Sequence, residues 1–255
     1  MRLPTFDVDD YRRMLTGFVD AGFSFAPAGA LRDEQPDRVL YLRHDVDFDP
    51  PSALPVAEAE AEMGIRSTYY VLLTQHYNAL QLDNRRAIRH LAGLGHEIGL
   101  HYDMQTYPGG PEAARAHLDH EVAILATLAG APVSTISMHQ PSRGEPDPFL
   151  TVPEYVHPHD PSLQQGLLYV SDSCRAWRDT SLVSCAAASG PQRILLNTHP
   201  ELWLDGSQRD RMAYLAFLRD RVTGQYRTYF DTVVRDAWLG HPGSRLHDER
   251  ESSGA

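Results

Sequence analysis

The sequence predicts an α/β chain whose parallel strands are joined by crossover helices. Three observations carry that expectation. Through residue 140, helix-like and strand-like segments alternate as α-β-α-β-α-β-α-β, the order that builds a parallel sheet. Side chains able to do acid–base or metal chemistry follow the ends of the strand-like runs, and in such sheets those ends meet at one face, where sites are built. The 255 residues also suit one α/β barrel, a fold that commonly takes about 250.

Composition narrows the function classes. Lys and Arg number 23 against 34 Asp and Glu, a net charge of −11, so broad attraction for nucleic acid or anionic membrane is not expected. At 42% hydrophobic residues the chain can bury a core. No apolar run reaches the roughly 18–20 residues of a membrane span. MRLPTFDVDDYRR lacks an apolar signal core, which gives an expectation of a cytoplasmic protein. Two cysteines, Cys174 and Cys185, make neither a disulfide framework nor a Cys-rich zinc cluster. One domain is expected over residues 1–245, with a polar, disordered tail at 246–255.

Taken in order, Tyr11, Met14, Leu15, Phe18 and Val19 share one helical face, with Thr5 or Asp7 as cap and Gly22 as stop. Val39–Leu42 is an apolar run that leads into Arg43-His-Asp-Val-Asp47, a buried strand ending in polar chemistry. Residues 52–63 read as a helix stopped by Gly64, and Thr68–Leu73 as a strand. Asp83 is placed as cap of a helix carrying Ile88, Leu91 and Leu94; Glu97–Asp103 alternates like a strand. Pro111 opens a helix that closes at Gly130, and Val133–His139 is a further strand. Residues 141–166 read as a long loop shaping a pocket. Leu167–Ser171 and Arg193–Thr198 complete the strands, and Ser207 starts a last helix that runs to Val222 or on past Gly224.

The polar residues at these strand ends suggest a hydrolytic centre. Asp45 and Asp47 are two apart on a strand and point the same way. Two neighbouring carboxylates need a cation or a shared proton, so a divalent metal on one leaves the other as a base; a capped, solvated turn is the plainer reading. His101 shares its strand face with Glu97, Gly99 and Asp103, and carboxylate with imidazole is a normal zinc set. His139 and His199 each end an apolar run and are followed within two residues by Pro, which fixes the turn; each also reads as a structural histidine. His157, His159, His241 and His247 read as solvated loop or tail.

Together these residues resemble the NodB-type polysaccharide deacetylase superfamily, carbohydrate esterases that remove acetyl groups from sugars. The resemblance rests on Leu42-Arg-His-Asp-Val-Asp47, on Gly64-Ile-Arg-Ser-Thr-Tyr-Tyr-Val71 and on Gly95-His-Glu-Ile-Gly-Leu-His101. It is strong over residues 39–103 and looser over 133–203. It implies a distorted (β/α)7 barrel and one divalent metal, usually zinc, held by Asp-His-His. By position Asp45 matches the general base, Asp47 the metal carboxylate and His101 the first histidine. The second family histidine falls on Gln105, a poor zinc ligand, so the third ligand is sought in His139, then Asp103, then Gln105 itself. His199 matches the general acid and Asp172 its orienting carboxylate. Arg175 or Arg178 would pair with a site carboxylate, and Trp177, Tyr102 and Arg143 are placed as substrate contacts.

The implied function is a metal-dependent hydrolase that removes an acetyl or other small acyl group from the amine of a sugar or sugar-like biosynthetic intermediate. Its partner is a small N-acylated molecule, with no nucleic acid and no membrane; the oligomeric state stays open. The alternatives are an amidohydrolase acting on a cyclic amide or ureide, with or without metal, and a degenerate barrel without turnover, which Gln105 favours.

Overall fold

The structure is a computed structural model, described over residues 6–74, 77–141, 144, 146–177, 192–206 and 210–235. Those residues fall into two compact units, Met1–Gly206 and Ser207–Ala255. In the first, α1 spans Val8–Asp20, β1 Ser24–Pro27, β2 Arg38–Val46, α2 Leu54–Glu62 and β3 Thr68–Val71. Then follow α3 Leu82–Gly93, β4 Glu97–Tyr102, α4 Pro111–Ala129, β5 Ile136–Met138, β6 Leu167–Ser171 and β7 Gln192–Thr198. In the second unit α5 spans Arg211–Tyr229 and widens into a π-helical stretch at Phe230–Arg235. Asp210 caps α5, its carboxylate accepting from the Ala213 N–H at 2.9 Å. Among the described residues no helix is long and apolar enough to cross a membrane.

The local rules explain most boundaries. Asp7 caps α1 by accepting from the Asp10 N–H at 2.7 Å, and the helix buries Tyr11, Met14, Leu15 and Phe18. Val19, placed on the same face by its spacing, is 49% exposed. Pro111 opens α4, and Gly130 closes it in the left-handed region at φ 69°. The cap of α3 is Gln81, whose side chain accepts from the N–H groups of Asp83 and Asn84; Asp83 lies one residue inside. β1, Ser24–Pro27, has no counterpart in the sequence reading. It is four residues long and ends in proline, too short to show a period.

All paired strands are parallel, in the order β5-β4-β3-β2-β7-β6 with β1 beside the first half of β2. The sheet is strongly curled. At about 4.8 Å per strand, β5 would stand about 14 Å from β2 in a flat sheet. Yet His139, just after β5, has its Nδ1 3.5 Å from an oxygen of Asp47, just after β2. His199, following β7 on the opposite side, brings its Nε2 within 3.9 Å of the same carboxylate. The expected distorted (β/α)7 barrel is therefore present as a curled half-barrel of seven parallel strands, with the ends of β2, β4, β5 and β7 meeting at the Asp47 carboxylate.

Two buried layers result. Outside the sheet, α2, α3 and α4 cover Tyr69, Val71, Ile98, Leu100 and Ile136 with Ala57, Ile88, Leu91, Leu118 and Leu125. Inside, Tyr41, Tyr70, Val156 and Leu195 fill the lower barrel, with the Tyr70 hydroxyl 2.6 Å from Thr135 Oγ1. Gly99 faces the Tyr70 ring: a β-carbon there would lie 2.5 Å from Tyr70 Cε1, so the close approach requires glycine.

Between sheet and helices lies a buried polar cluster centred on Glu60 of α2, which is fully buried. Its carboxylate accepts from Tyr11, from His44 Nε2 at 2.8 Å, from Ser67 at 2.5 Å and from Tyr69 at 3.0 Å. Burial by itself would raise this carboxyl, but His44, His96 and Ser67 hold it below the usual glutamate value. A depressed carboxylate contributes stability above its unfolded pKa of about 4.3, and that contribution is lost as pH falls through the folded value. Glu60→Gln is therefore expected to cost about 3 kcal/mol at pH 7, with the gap to the parent closing as pH drops below 4. Urea unfolding at both pH values reads this, and a gap independent of pH would show that Glu60 is not ionised.

Candidate active site and metal centre

β2 carries the chemistry on one face. His44 points outward to Glu60, with its Nδ1 2.7 Å from Thr198 Oγ1. Its neighbours Arg43 and Asp45 point inward and pair with each other in full burial. The Arg43 guanidinium also lies 4.5 Å from the centre of the Tyr70 ring. Asp45 Oδ2 accepts from Asn197 Nδ2 at 3.0 Å. Burial would raise the Asp45 carboxyl, but Arg43, and after it His101 and His199, hold it well below the usual carboxylate range. The carboxylate is thus ionised, with a buried donor on each oxygen.

Asp47, His101 and His139 stand together. A carbonyl can only accept, so the 2.8 Å contact between His101 Nδ1 and Ser137 O puts the proton on Nδ1 and leaves Nε2 as an acceptor. Burial sets His101 below the ordinary imidazole value, against the upward pull of the Asp45 and Asp47 carboxylates. His101 Nε2 lies 3.3 Å from His139 Nδ1 and 3.5 Å from Asp47 Oδ1, and His139 Nδ1 is also 3.5 Å from Asp47 Oδ1. That oxygen is buried and has no hydrogen-bond donor. A tetrahedron with bonds of about 2.1 Å has edges of about 3.4 Å, so the three donor atoms are spaced as three corners of a zinc polyhedron. They form the group of potential metal ligands among the described residues. His139 is held by its own N–H, which donates to Tyr102 O at 2.7 Å. The next residue, Gln140, has a φ of 46°, an uncommon backbone state for glutamine.

On the other side of Asp47, His199 Nδ1 is 2.6 Å from Asp172 Oδ1, and the His199 N–H donates to both Asp172 oxygens at 3.1 Å. Trp203 Nε1 donates to Asp172 Oδ2 at 2.8 Å. Burial would lower the imidazole, but Asp172, then Asp47 and Asp45, raise it well above its ordinary value. His199 is a cation at neutral pH with Nε2–H turned toward Asp47.

The structure brings Asp45, Asp47, His101, His139, Asp172 and His199 into one cluster, as the sequence expects. Of the other ligand candidates, Asp103 is buried with Oδ1 accepting from the Gln105 N–H, and Gln105 is exposed. The expectation for Tyr102 is corrected. It alternates with His101, so it faces outward, is fully buried and bonds Asp147 Oδ1 at 2.5 Å with His157 Nε2 at 3.2 Å; no surface is left for a substrate. The guanidinium of Arg175, the other catalytic candidate, donates to Asp205 O at 2.7 Å and lies over the Phe6 ring. Trp177 is half-buried and stacks on Phe6 at 6.0 Å. Arg143, Arg178, Cys185 and the tail at 246–255 lie outside the described residues.

Sequence reasoning missed Arg43, Asn197 and Trp203 as partners of Asp45 and Asp172. Alternation did place Arg43 on the Asp45 face, and that signal was available. His157 is not solvated, and His159 is half-buried. His157 is buried, 3.2 Å from Asp147 Oδ2, because residues 146–166 pack back onto the sheet unit. Val156 bridges Thr135, and Arg32 donates to the carbonyls of Pro153 and Tyr155.

No protein-family model and no curated protein matches the chain. Solved structures resemble it at low identity. The structure of IcaB from Ammonifex degensii is 12% identical, covering 82% of this chain and 88% of that one at a TM-score of 0.43. The chitin deacetylase of the fungal pathogen Colletotrichum lindemuthianum is 15% identical over 72% and 83% of the two chains, at 0.41. A CE4 family pseudoenzyme from Bacillus anthracis is 13% identical over 71% and 60%, at 0.42; this chain spans about three fifths of that protein's length.

The buried acceptor role of Asp172 has a measurable consequence. Asp172→Asn replaces an anion that takes donors from His199 and Trp203, and unfolding stability in urea at pH 7 is expected to fall by about 1–3 kcal/mol. An unchanged midpoint would mean that Asp172 is not the acceptor.

Proposed function

We propose that this chain is a metal-dependent hydrolase that removes a small acyl group, such as acetyl, from the amine of a sugar or sugar-like molecule. One observation carries the hydrolytic part: Asp47 Oδ1, His101 Nε2 and His139 Nδ1 are mutually spaced 3.3–3.5 Å apart around a buried carboxylate oxygen that no protein donor satisfies. The acyl sugar as substrate is supported by the motif resemblance over residues 39–103.

A divalent ion held by these three residues would lower the pKa of a water and polarise the scissile carbonyl. The remaining steps belong to the chain's own groups. Asp45, ionised beside Arg43 and Asn197, accepts the proton of the attacking water. His199, kept protonated by Asp172, gives its Nε2 proton to the leaving amine, so that nitrogen departs neutral. The two groups meet the general requirement of acid and base work, a pair whose surroundings push their proton affinities apart: Asp45 down and His199 up.

Zinc titrated into the metal-free protein is expected to bind at one equivalent by calorimetry, and His101→Ala or His139→Ala to abolish that binding. Full zinc uptake by both variants would remove the triad as the metal site. Asp45→Asn is expected to keep zinc while losing about 10²–10⁴-fold in turnover of an N-acetylated amino sugar. Near-parental turnover in that variant would remove Asp45 as base.

A further inference from the structure

Two rings beside the site take no part in the chemistry above. Tyr169 lies on β6 opposite Leu195, which belongs to the buried cluster inside the barrel. Tyr169 faces the same interior, yet it is 41% exposed, because β6 is the edge strand of the sheet path and the barrel is open beside it. His159 meets it edge-on, with ring centres 5.3 Å apart.

Both rings are wired to Asp45. Asn197 Nδ2, which donates to Asp45 Oδ2 at 3.0 Å, also lies 3.3 Å from the Tyr169 hydroxyl. Arg43 holds Asp45 Oδ1, and its other terminal nitrogen, Nη1, lies 3.5 Å from His159 Nε2. A guanidinium only donates, so Nε2 is the acceptor and the His159 proton sits on Nδ1. Burial, and then Arg43, bring this imidazole down to about 3, so it is neutral at working pH. Its Nδ1–H is not among the buried polar atoms and has no acceptor among the described residues. The rim beside Asp45 therefore offers an exposed aromatic face and, at its edge, one neutral hydrogen-bond donor.

That pairing matches a pyranose ring, which presents an apolar C–H face and a rim of hydroxyl oxygens. An aromatic face takes the first and a fixed N–H takes the second. We propose that Tyr169 and His159 form the subsite for the sugar ring that bears the acylated amine, with the ring lying on Tyr169 and one hydroxyl accepting from His159 Nδ1–H. The inference rests on the reading of the chain as a sugar deacylase and assigns that reading its ring-binding residues. Trp177, stacked on Phe6, is left as packing.

The test reads binding separately from turnover. Glucosamine, the deacylated product type, and N-acetylglucosamine are titrated into the full chain and followed by saturation-transfer NMR. Tyr169→Ala and Tyr169→Leu are each expected to weaken both sugars about tenfold, as loss of a stacking face does, and Tyr169→Phe to stay within about twofold. His159→Ala is expected to weaken them about threefold and His159→Gln, which keeps an N–H donor, to recover most of that. The Leu variant keeps bulk at the edge strand, so a folding failure of the Ala variant leaves the result readable. Sugar binding that depends on Tyr169 in a protein that hydrolyses no N-acyl sugar keeps the subsite and removes the hydrolase. Hydrolysis with the same KM in the parent and in Tyr169→Leu removes the subsite and keeps the hydrolase. A parent chain that takes up neither sugar overturns the subsite.

Discussion

The curl of the parallel sheet is the constraint on which the site depends. β5 and β7 lie on opposite sides of β2 in the sheet order, and only strong curvature lets His139 and His199 reach one carboxylate on Asp47. The interior must be filled to hold that curvature. Tyr41, Tyr70 and Leu195 do so, and Gly99 yields the space that the Tyr70 ring occupies. Packing residues thereby support the 3.3–3.5 Å spacings among Asp47, His101 and His139.

Charge is arranged in the same economical way. Asp45 and Asp47 repel each other through low-dielectric surroundings. Arg43 answers one of them from two residues away on the same strand, and the imidazoles of His101, His139 and His199 surround the other. The surroundings widen a difference that residue type begins: a guanidinium lowers the Asp45 carboxyl, and a buried carboxylate raises the His199 imidazole.

Much of this was legible in the sequence, and the limits have physical causes. Strand ends could be read because buried parallel strands are apolar and their polar residues stand out, so the gathering of Asp45, Asp47, His101, His139, Asp172 and His199 was legible. Alternation should have turned Tyr102 away from the site as it turned His101 toward it. What hid the destination of Tyr102 was Asp147, a partner 45 residues away in a segment with no period. The same segment hid His157 and His159, because a loop looks solvated until its long-range contacts are known. β1 was too short to register. The donors of Asp172 and Asp45, Trp203 and Asn197, are cross-strand or turn neighbours that one chain read linearly does not pair.

β2 has buried polar systems on both faces: Glu60 and Thr198 grip His44 from outside, while Arg43, Asn197 and the imidazoles engage Asp45 and Asp47 within. The apolar half of the strand, Val39–Leu42, is buried whichever way it is turned and so carries no preference for phase. A slip of one position would aim His44 into the barrel and leave two carboxylates under α2 without donors. The polar half thus acts as the strand's indexing mark, and a single-residue insertion or deletion between Val39 and Asp47 would derange the carboxylate–imidazole cluster and the helix packing together.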